Sequence, residues 1–420
     1  MAPAWMGRNL AIIMAARIPM SGGRAIAGVV VPIYLAQAGY GALALGALFA
    51  VVAATSALLS TAIGIASDRW GRKAFIVAVP FLTAGCAVAL ALTLDPVVVF
   101  LAASLGSFGR GGGAGGGTVG PYRPAEQALT VDSVAPAHRT PAFARLNFAS
   151  SAGAVVGSLL IGPLTHPVPR GQVLQSYRPE FLAIAAGSTL AGLMALWLVE
   201  ARRRSSGDGP ALPLLPRRSR GLLYRLWVVN GLNGIGVGMF GPFLAYWLYR
   251  RYGVGPGSVG DLYAVVNGAT LLANLGAAPL ANWFGLVRAT FWFRVLQGLL
   301  LIPMALSPTF FLAGAVYLVR MMCQRVALPL RQSYAMGVAD PAERGAVAAW
   351  SEVPSQFLGA GAPSLAGALF SDSLLALPFI VGGAFQVLSA LAFYLFFRGR
   401  PPAEERTTPA APASESGALP

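Results

Sequence analysis

The sequence predicts an all-α polytopic membrane protein with twelve transmembrane helices in two pseudo-symmetric six-helix bundles, both termini on the cytoplasmic side. Three observations predict it. The 420 residues are 56% hydrophobic and only 11% charged, where a typical soluble protein is about 25% charged, and mean hydropathy is +0.66. Apolar runs of membrane-crossing length follow one another along almost the whole chain. The second half repeats the first. A soluble globule and a disordered chain are excluded. The +15 net charge does not mark a nucleic-acid binder, because the arginines are sparse and fall among long apolar runs.

A transmembrane helix needs about 20 mostly apolar residues. By that rule the segments are 9–37, 43–66, 73–94, 97–134, 141–164, 179–199, 222–250, 257–283, 288–306, 309–338, 346–370 and 374–397. The first is a membrane helix rather than a cleaved signal, since Arg17 interrupts its apolar core and no small-residue cleavage site follows. The fourth would be about 57 Å long as one helix, at 1.5 Å per residue, well beyond a hydrocarbon core of about 30 Å. It is therefore expected to break at the glycine run 111–117. Between the sixth and seventh, residues 200–221 hold six arginines among Ser, Gly and Pro, and read as a basic cytoplasmic linker. The organisation expected is a bundle over 1–199, that linker, a second bundle over 222–398 and a disordered tail over 399–420. Cys86 and Cys323 read as small buried hydrophobes, and His138 and His166 match no zinc spacing.

Orientation follows from basic residues. With the N-terminus inside, eighteen Arg and Lys fall on the cytoplasmic side and four outside (Arg170, Arg178, Arg250 and Arg251). A shift of 214 residues lays Gly41, Gly46, Leu48, Ala50, Val51 and Val52 on Gly255, Gly260, Leu262, Ala264, Val265 and Val266. A shift of 205 lays Gln127, Pro136, Ala137 and Arg139 on Gln332, Pro341, Ala342 and Arg344. Parallel repeats of this kind suit two bundles rocking about a midplane site.

Residues 64–73 read GIASDRWGRK, between the second and third segments. Gly64 and Gly71 permit close helix approach and a tight turn, and Asp68 can accept from Arg or from backbone N–H groups. The stretch resembles the loop motif of the major facilitator superfamily. The resemblance implies a cytoplasmic latch made of Gly64, Asp68, Arg69, Gly71, Arg72 and Lys73, with Asp132 as the second acid. The repeat copy, APLANWFGLVR over 278–288, has Asn282 in place of the acid and Leu286 in place of an arginine, so its latch looks degraded. SFGRGGGAGGG (107–117) loosely resembles the fourth-helix motif of the proton-linked exporters. Gly153, Gly157, Gly162 and Pro163 approximate the Gly-Pro motif of the antiporters, and GAGAPSLAG (359–367) is a better copy on the eleventh segment. Both also read as plain small-residue packing faces.

Eight arginines fall inside the apolar segments: Arg17, Arg24, Arg110, Arg123, Arg294, Arg320, Arg325 and Arg331. Each costs at least about 2.5–3.5 kcal/mol near the bilayer centre, so each needs a reason. Arg294 is the candidate for snorkelling. The others crowd segments one, four and ten, which in the family line the central cavity together with segment seven. Arg17, Arg24, Arg110, Arg123, Arg320 and Arg331, with Asn230 and Asn233, are the expected substrate-binding residues, walled by Tyr34, Tyr246 and Trp247. Glu126 and Glu352 are the carboxylates placed within helices and the candidates for proton coupling. The i,i+3 spacing of Arg123 and Glu126 would allow an ion pair between them.

These readings predict a secondary transporter working by alternating access, proton-linked, whose arginines favour an anionic or carboxylate-bearing solute. The alternative is a proton-antiporting multidrug exporter of neutral or cationic compounds. A receptor or enzyme on the same scaffold is the distant alternative, and no catalytic constellation supports it. The expected partners are a small-molecule substrate, protons and the lipid bilayer. No nucleic acid and no cofactor are expected; the family's fold implies a monomer, and the expected location is a prokaryotic plasma membrane.

Overall fold

The computed structural model describes residues 6–109, 120–135, 138–165, 169, 172–200, 218–273, 286–340, 343, 347, 350–370 and 374–398. The helices of the first half are α1 (Arg8–Gln37), α2 (Ala42–Trp70), α3 (Arg72–Leu92), α4 (Pro96–Leu105), α5 (Arg123–Ser133), α6 (Arg139–Leu164), α7 (Val173–Ser176) and α8 (Arg178–Leu196). Those of the second are α9 (Arg220–Phe240), α10 (Leu244–Tyr252), α11 (Pro256–Ala273), α12 (Leu286–Leu299), α13 (Leu301–Leu306), α14 (Phe310–Val338), α15 (Val353–Leu369) and α16 (Leu377–Phe397). Among the described residues, nine helices are long and apolar enough to cross a membrane. With no water in the hydrocarbon to serve the backbone, closed helices are what such sequences must form. Local chemistry sets several ends. Asp95 caps α4 by accepting from the N–H groups of Val97 (3.0 Å) and Val98 (3.1 Å), with Pro96 at the first helical position.

The expected break in the fourth segment begins at Gly106, where α4 ends, and α5 starts at Arg123. The glycine run 111–117 and Arg110 lie outside the described residues, as do His166, Arg170, most of the linker and the tail. The seventh segment is also interrupted, at residues 241–243 between α9 and α10.

Each half packs in the same pattern. α1 lies against α6 and α8, and α3 against α8; in the second half α9 lies against α15 and α16, and α12 against α16. The halves meet through α2 on α15 and α6 on α11. Glycine permits both crossings. A Cβ on Gly46 would stand 2.6 Å from the Pro363 carbonyl oxygen, and one on Gly260 would stand 2.7 Å from that of Ser158. Gly46 and Gly260 are the residues matched by the 214-residue shift, so the repeat in sequence is a repeat of function in packing. The glycines of the Gly-Pro-like stretches serve the same end: Gly157 abuts the backbone of Gly22, and Gly359 that of Gly234.

The core is distributed unevenly. One apolar cluster, including Val30, Tyr34, Phe49, Phe243, Trp247, Phe370 and Phe379, joins both halves at the end remote from α1's start. At the opposite end the first half has its own cluster around Leu10, Ile76, Leu129 and Leu198. The second half has another around Leu222, Leu330, Tyr334 and Phe397. The halves are thus sealed together at one end and cored separately at the other.

Candidate functional site

Two polar triads occupy matching places in the two halves. In the first, Arg17 on α1 holds Glu126 on α5 with a two-pronged ion pair, Nε to Oε1 and Nη2 to Oε2, both 2.8 Å. Its Nη1 donates to Ser150 Oγ on α6 at 3.2 Å. In the second, Arg331 on α14 donates to Glu352 Oε1, at the foot of α15, at 2.8 Å and to Asn230 Oδ1 on α9. Asn230 in turn donates to the Ser351 carbonyl at 2.7 Å. The 205-residue shift carries Glu126 onto Arg331, and the 214-residue shift carries Arg17 to within one residue of Asn230. Both triads therefore tie the first, fourth and fifth segments of a repeat, with the arginine and acid on the first and fourth in one half and on the fourth and fifth in the other.

Their exposure differs. Arg17 and Glu126 side chains are 6% and 2% exposed, whereas Arg331 is 10% and Glu352 43% exposed. A cavity of about 10 Å³ touches Glu126 and Tyr122. That is room for about one water and for no organic solute. Glu352 is instead partly exposed and lies within electrostatic reach of Arg123 in the other half.

Several expectations need correction. Glu126 pairs with Arg17, not with Arg123 three residues before it, because α1 brings a guanidinium onto the carboxylate while the Arg123 side chain stays exposed. Arg123 nevertheless lies within electrostatic reach of Glu126 and, from the other half, of Glu352. Arg294 does not snorkel. It is buried, donating from Nη2 to Asn233 Oδ1 at 2.8 Å and to Ser389 Oγ at 3.0 Å. Tyr34, Tyr246 and Trp247 are buried in the core cluster that joins the halves rather than walling an open cavity. Glu126 and Glu352 are not alone as helix carboxylates: Glu180, in the first turn of α8, is fully buried. Its place in the fold depends on how α8 docks, which the local sequence does not signal.

The remaining arginines divide by partner. Arg24 donates to the carbonyls of Ser107 (3.1 Å) and Gly106 (3.3 Å), where α4 ends. A Cβ on Gly120 would collide with its guanidinium, so Arg24 bridges the two sides of the broken segment. Arg320 lies with its Cζ 4.3 Å from the centre of the Phe240 ring and donates to Gln386 Oε1 at 3.2 Å.

At the end bearing the N-terminus, Arg72 pairs with Asp132, and Gly71 makes its turn at φ +92°, a conformation that favours glycine. Glu200 accepts from the backbone N–H groups of Arg72 (2.8 Å) and Lys73 (3.0 Å), holding the start of α3. The sequence reading missed it; its signal was an acid standing alone before the arginine-rich linker. Gly64 and Arg69 lie on α2. The Asp68 and Leu286 side chains and Asn282 lie outside the described residues.

Known proteins resemble this chain in sequence and in fold. The sequence pattern of the Major Facilitator Superfamily matches residues 13–224 and 226–418. Multidrug resistance protein MdtH of Klebsiella pneumoniae (strain 342) is 26% identical over 345 residues, 80% of each chain. Among solved structures, a bacterial homologue of the human lysosomal transporter Spinster, in an inward-facing and unoccupied conformation, superposes with a TM-score of 0.74. It is 15% identical and covers 98% of this chain and 100% of its own. A D-xylose–proton symporter gives a TM-score of 0.69 at 14% identity, covering 92% and 97%. At such identities the structural likeness speaks for the fold alone.

Proposed function

The chain belongs to the major facilitator superfamily, a family of membrane transporters rather than enzymes, and from that premise we propose that it is a proton-linked exporter of small organic solutes. The observation that carries this reading is the pair of Arg–Glu contacts at equivalent places in the two halves, one buried and one partly exposed. A carboxylate held by a guanidinium loses its charge on taking a proton, and the pair then no longer binds its two helices together. Arg17–Glu126 ties α1 to α5, and Arg331–Glu352 ties α14 to the start of α15. Proton uptake at either pair would thus loosen one bundle's inner helices, which is the differential contact that alternating access needs. With the termini cytoplasmic, the arrangement of the cores corresponds to an inward-open state. Export agrees with the multidrug relatives.

The test uses everted vesicles with an acid interior. Adding a transported solute should dissipate the pH gradient in the wild type. Glu126→Gln and Glu352→Gln should lose that response yet still exchange solute down its gradient. Wild-type proton release in both variants overturns the reading.

A second reading, an anionic solute, is favoured by the excess of guanidinium over carboxylate groups in the segments and by Arg123, exposed and within electrostatic reach of both Glu126 and Glu352. A thermal-shift screen of solutes sorted by charge separates the two, since a ligand stabilises by RT ln(1 + [L]/Kd). Stabilisation by anions, lost in Arg123→Ala, would replace the first reading; stabilisation by neutral or cationic compounds alone would retain it.

A further inference from the structure

Among the described residues of the second half, two buried guanidinium groups, unlike those of Arg17 and Arg331, have no carboxylate partner. Arg294 on α12 and Arg320 on α14 are 5% and 1% exposed. Every acceptor they use among the described residues is neutral: Asn233 Oδ1 and Ser389 Oγ for Arg294, Gln386 Oε1, Gln324 Oε1 and Met321 Sδ for Arg320, together with the Phe240 ring face. The charges felt by Arg294 are those of Arg331 and of Glu352, the latter already bonded to Arg331. Buried charge left uncompensated is strongly unfavourable.

The same cluster holds three buried donors without a partner among the described residues: Arg294 Nη1, Arg320 Nε and Gln386 Nε2. They belong to consecutive rungs between the same helices. Arg294 and Gln297 are three apart on α12, and Gln386 and Ser389 are three apart on α16. Arg294 meets Ser389, and Gln297 donates to Gln386 Oε1 at 2.8 Å. The rungs are thus about one helical turn, or about 5 Å, apart. Arg320 joins the second rung from α14. Two cations and an amide N–H therefore offer free donors over about a turn of helix in a site closed to bulk water.

We propose that this cluster, Arg294, Arg320 and Gln386, is a binding site for a small monovalent anion of halide or formate size within the second bundle. The inference is independent of the coupling pairs, none of whose residues it uses. The anion supplies the counter-charge that no described side chain does, and the site would set the stability of the packing among α9, α12, α14 and α16 rather than carry the transported solute.

The test is the thermal stability of the full-length protein in detergent, at fixed pH and ionic strength, in sodium chloride, bromide or formate against sodium gluconate. The wild type should show a saturable rise in Tm with the three small anions. Gln386→Glu, which brings a counter-charge covalently, should be as stable in gluconate as in chloride. Should that variant not fold, Arg320→Met serves: it should lose the anion response, and bromide should give an anomalous diffraction signal at the cluster of the wild type. Equal Tm of the wild type in chloride and gluconate overturns the proposal, as does an undiminished response in Arg320→Met. Stabilisation by bulky organic acids without any effect of halide or formate also overturns it, assigning the donors to an anionic solute instead.

Discussion

Removing Arg17 alone should damage this protein more than removing Arg17 and Glu126 together. Arg17→Met keeps most of the side chain's length and apolar stem, so lost packing should cost under about 1.5 kcal/mol. It also strips Glu126, whose side chain is 2% exposed, of two 2.8 Å charge-assisted bonds. Breaking a buried pair by deleting one member costs about 3–5 kcal/mol, because a buried charge is left unpaired. Ser150 Oγ loses its donor as well, worth about 1 kcal/mol. The double variant Arg17→Met/Glu126→Leu leaves no charge stranded, and replacement of a buried pair by apolar groups is often near neutral. A double-mutant cycle should then return a coupling of at least about 3 kcal/mol, more than a hundredfold in the unfolding equilibrium. The assay is denaturant unfolding of purified protein in detergent, followed by tryptophan fluorescence. A loss below about 1 kcal/mol in Arg17→Met, or a double variant costing the sum of its singles, would refute the reasoning.

Three further outcomes are expected. Gly46→Leu places a side chain where even a Cβ would stand 2.6 Å from the Pro363 oxygen; it should prevent closure of α2 on α15, abolish transport and raise labelling of a cysteine placed beside that crossing. Glu200→Gln weakens two charge-assisted bonds at the start of α3 and should lower stability by about 1 kcal/mol, visible as a reduced Tm with transport retained. If Asp68 works as the family's latch, Asp68→Asn should shift the population towards inward-facing states; unchanged accessibility of cysteines at the two mouths would count against it.

Most of the fold was legible in the sequence because it follows from local composition. An apolar run of sufficient length must become a helix in lipid whatever its neighbours, and the 214-residue repeat already matched Gly46 with Gly260 before their crossings were seen. The break of the fourth segment was legible for the same reason, since its length exceeds the bilayer. The site was legible only as a list of charged residues. Spacing on one helix suggested Arg123 for Glu126, and an isolated position suggested snorkelling for Arg294, but α1 and α9 carry the partners those residues find.

By itself, then, the sequence determined the environment, the helices, the duplication and the family loop, all properties of stretches of up to about forty residues. The tertiary structure decided which cation meets which acid, that the matching triads carry their charges on different helices, that two guanidinium groups meet no acid among the described residues, and which end of the halves is sealed. The physical reason is that ion-pair energies in a low-dielectric interior depend on separations of a few ångströms, and those are set by how helices dock, not by their order along the chain.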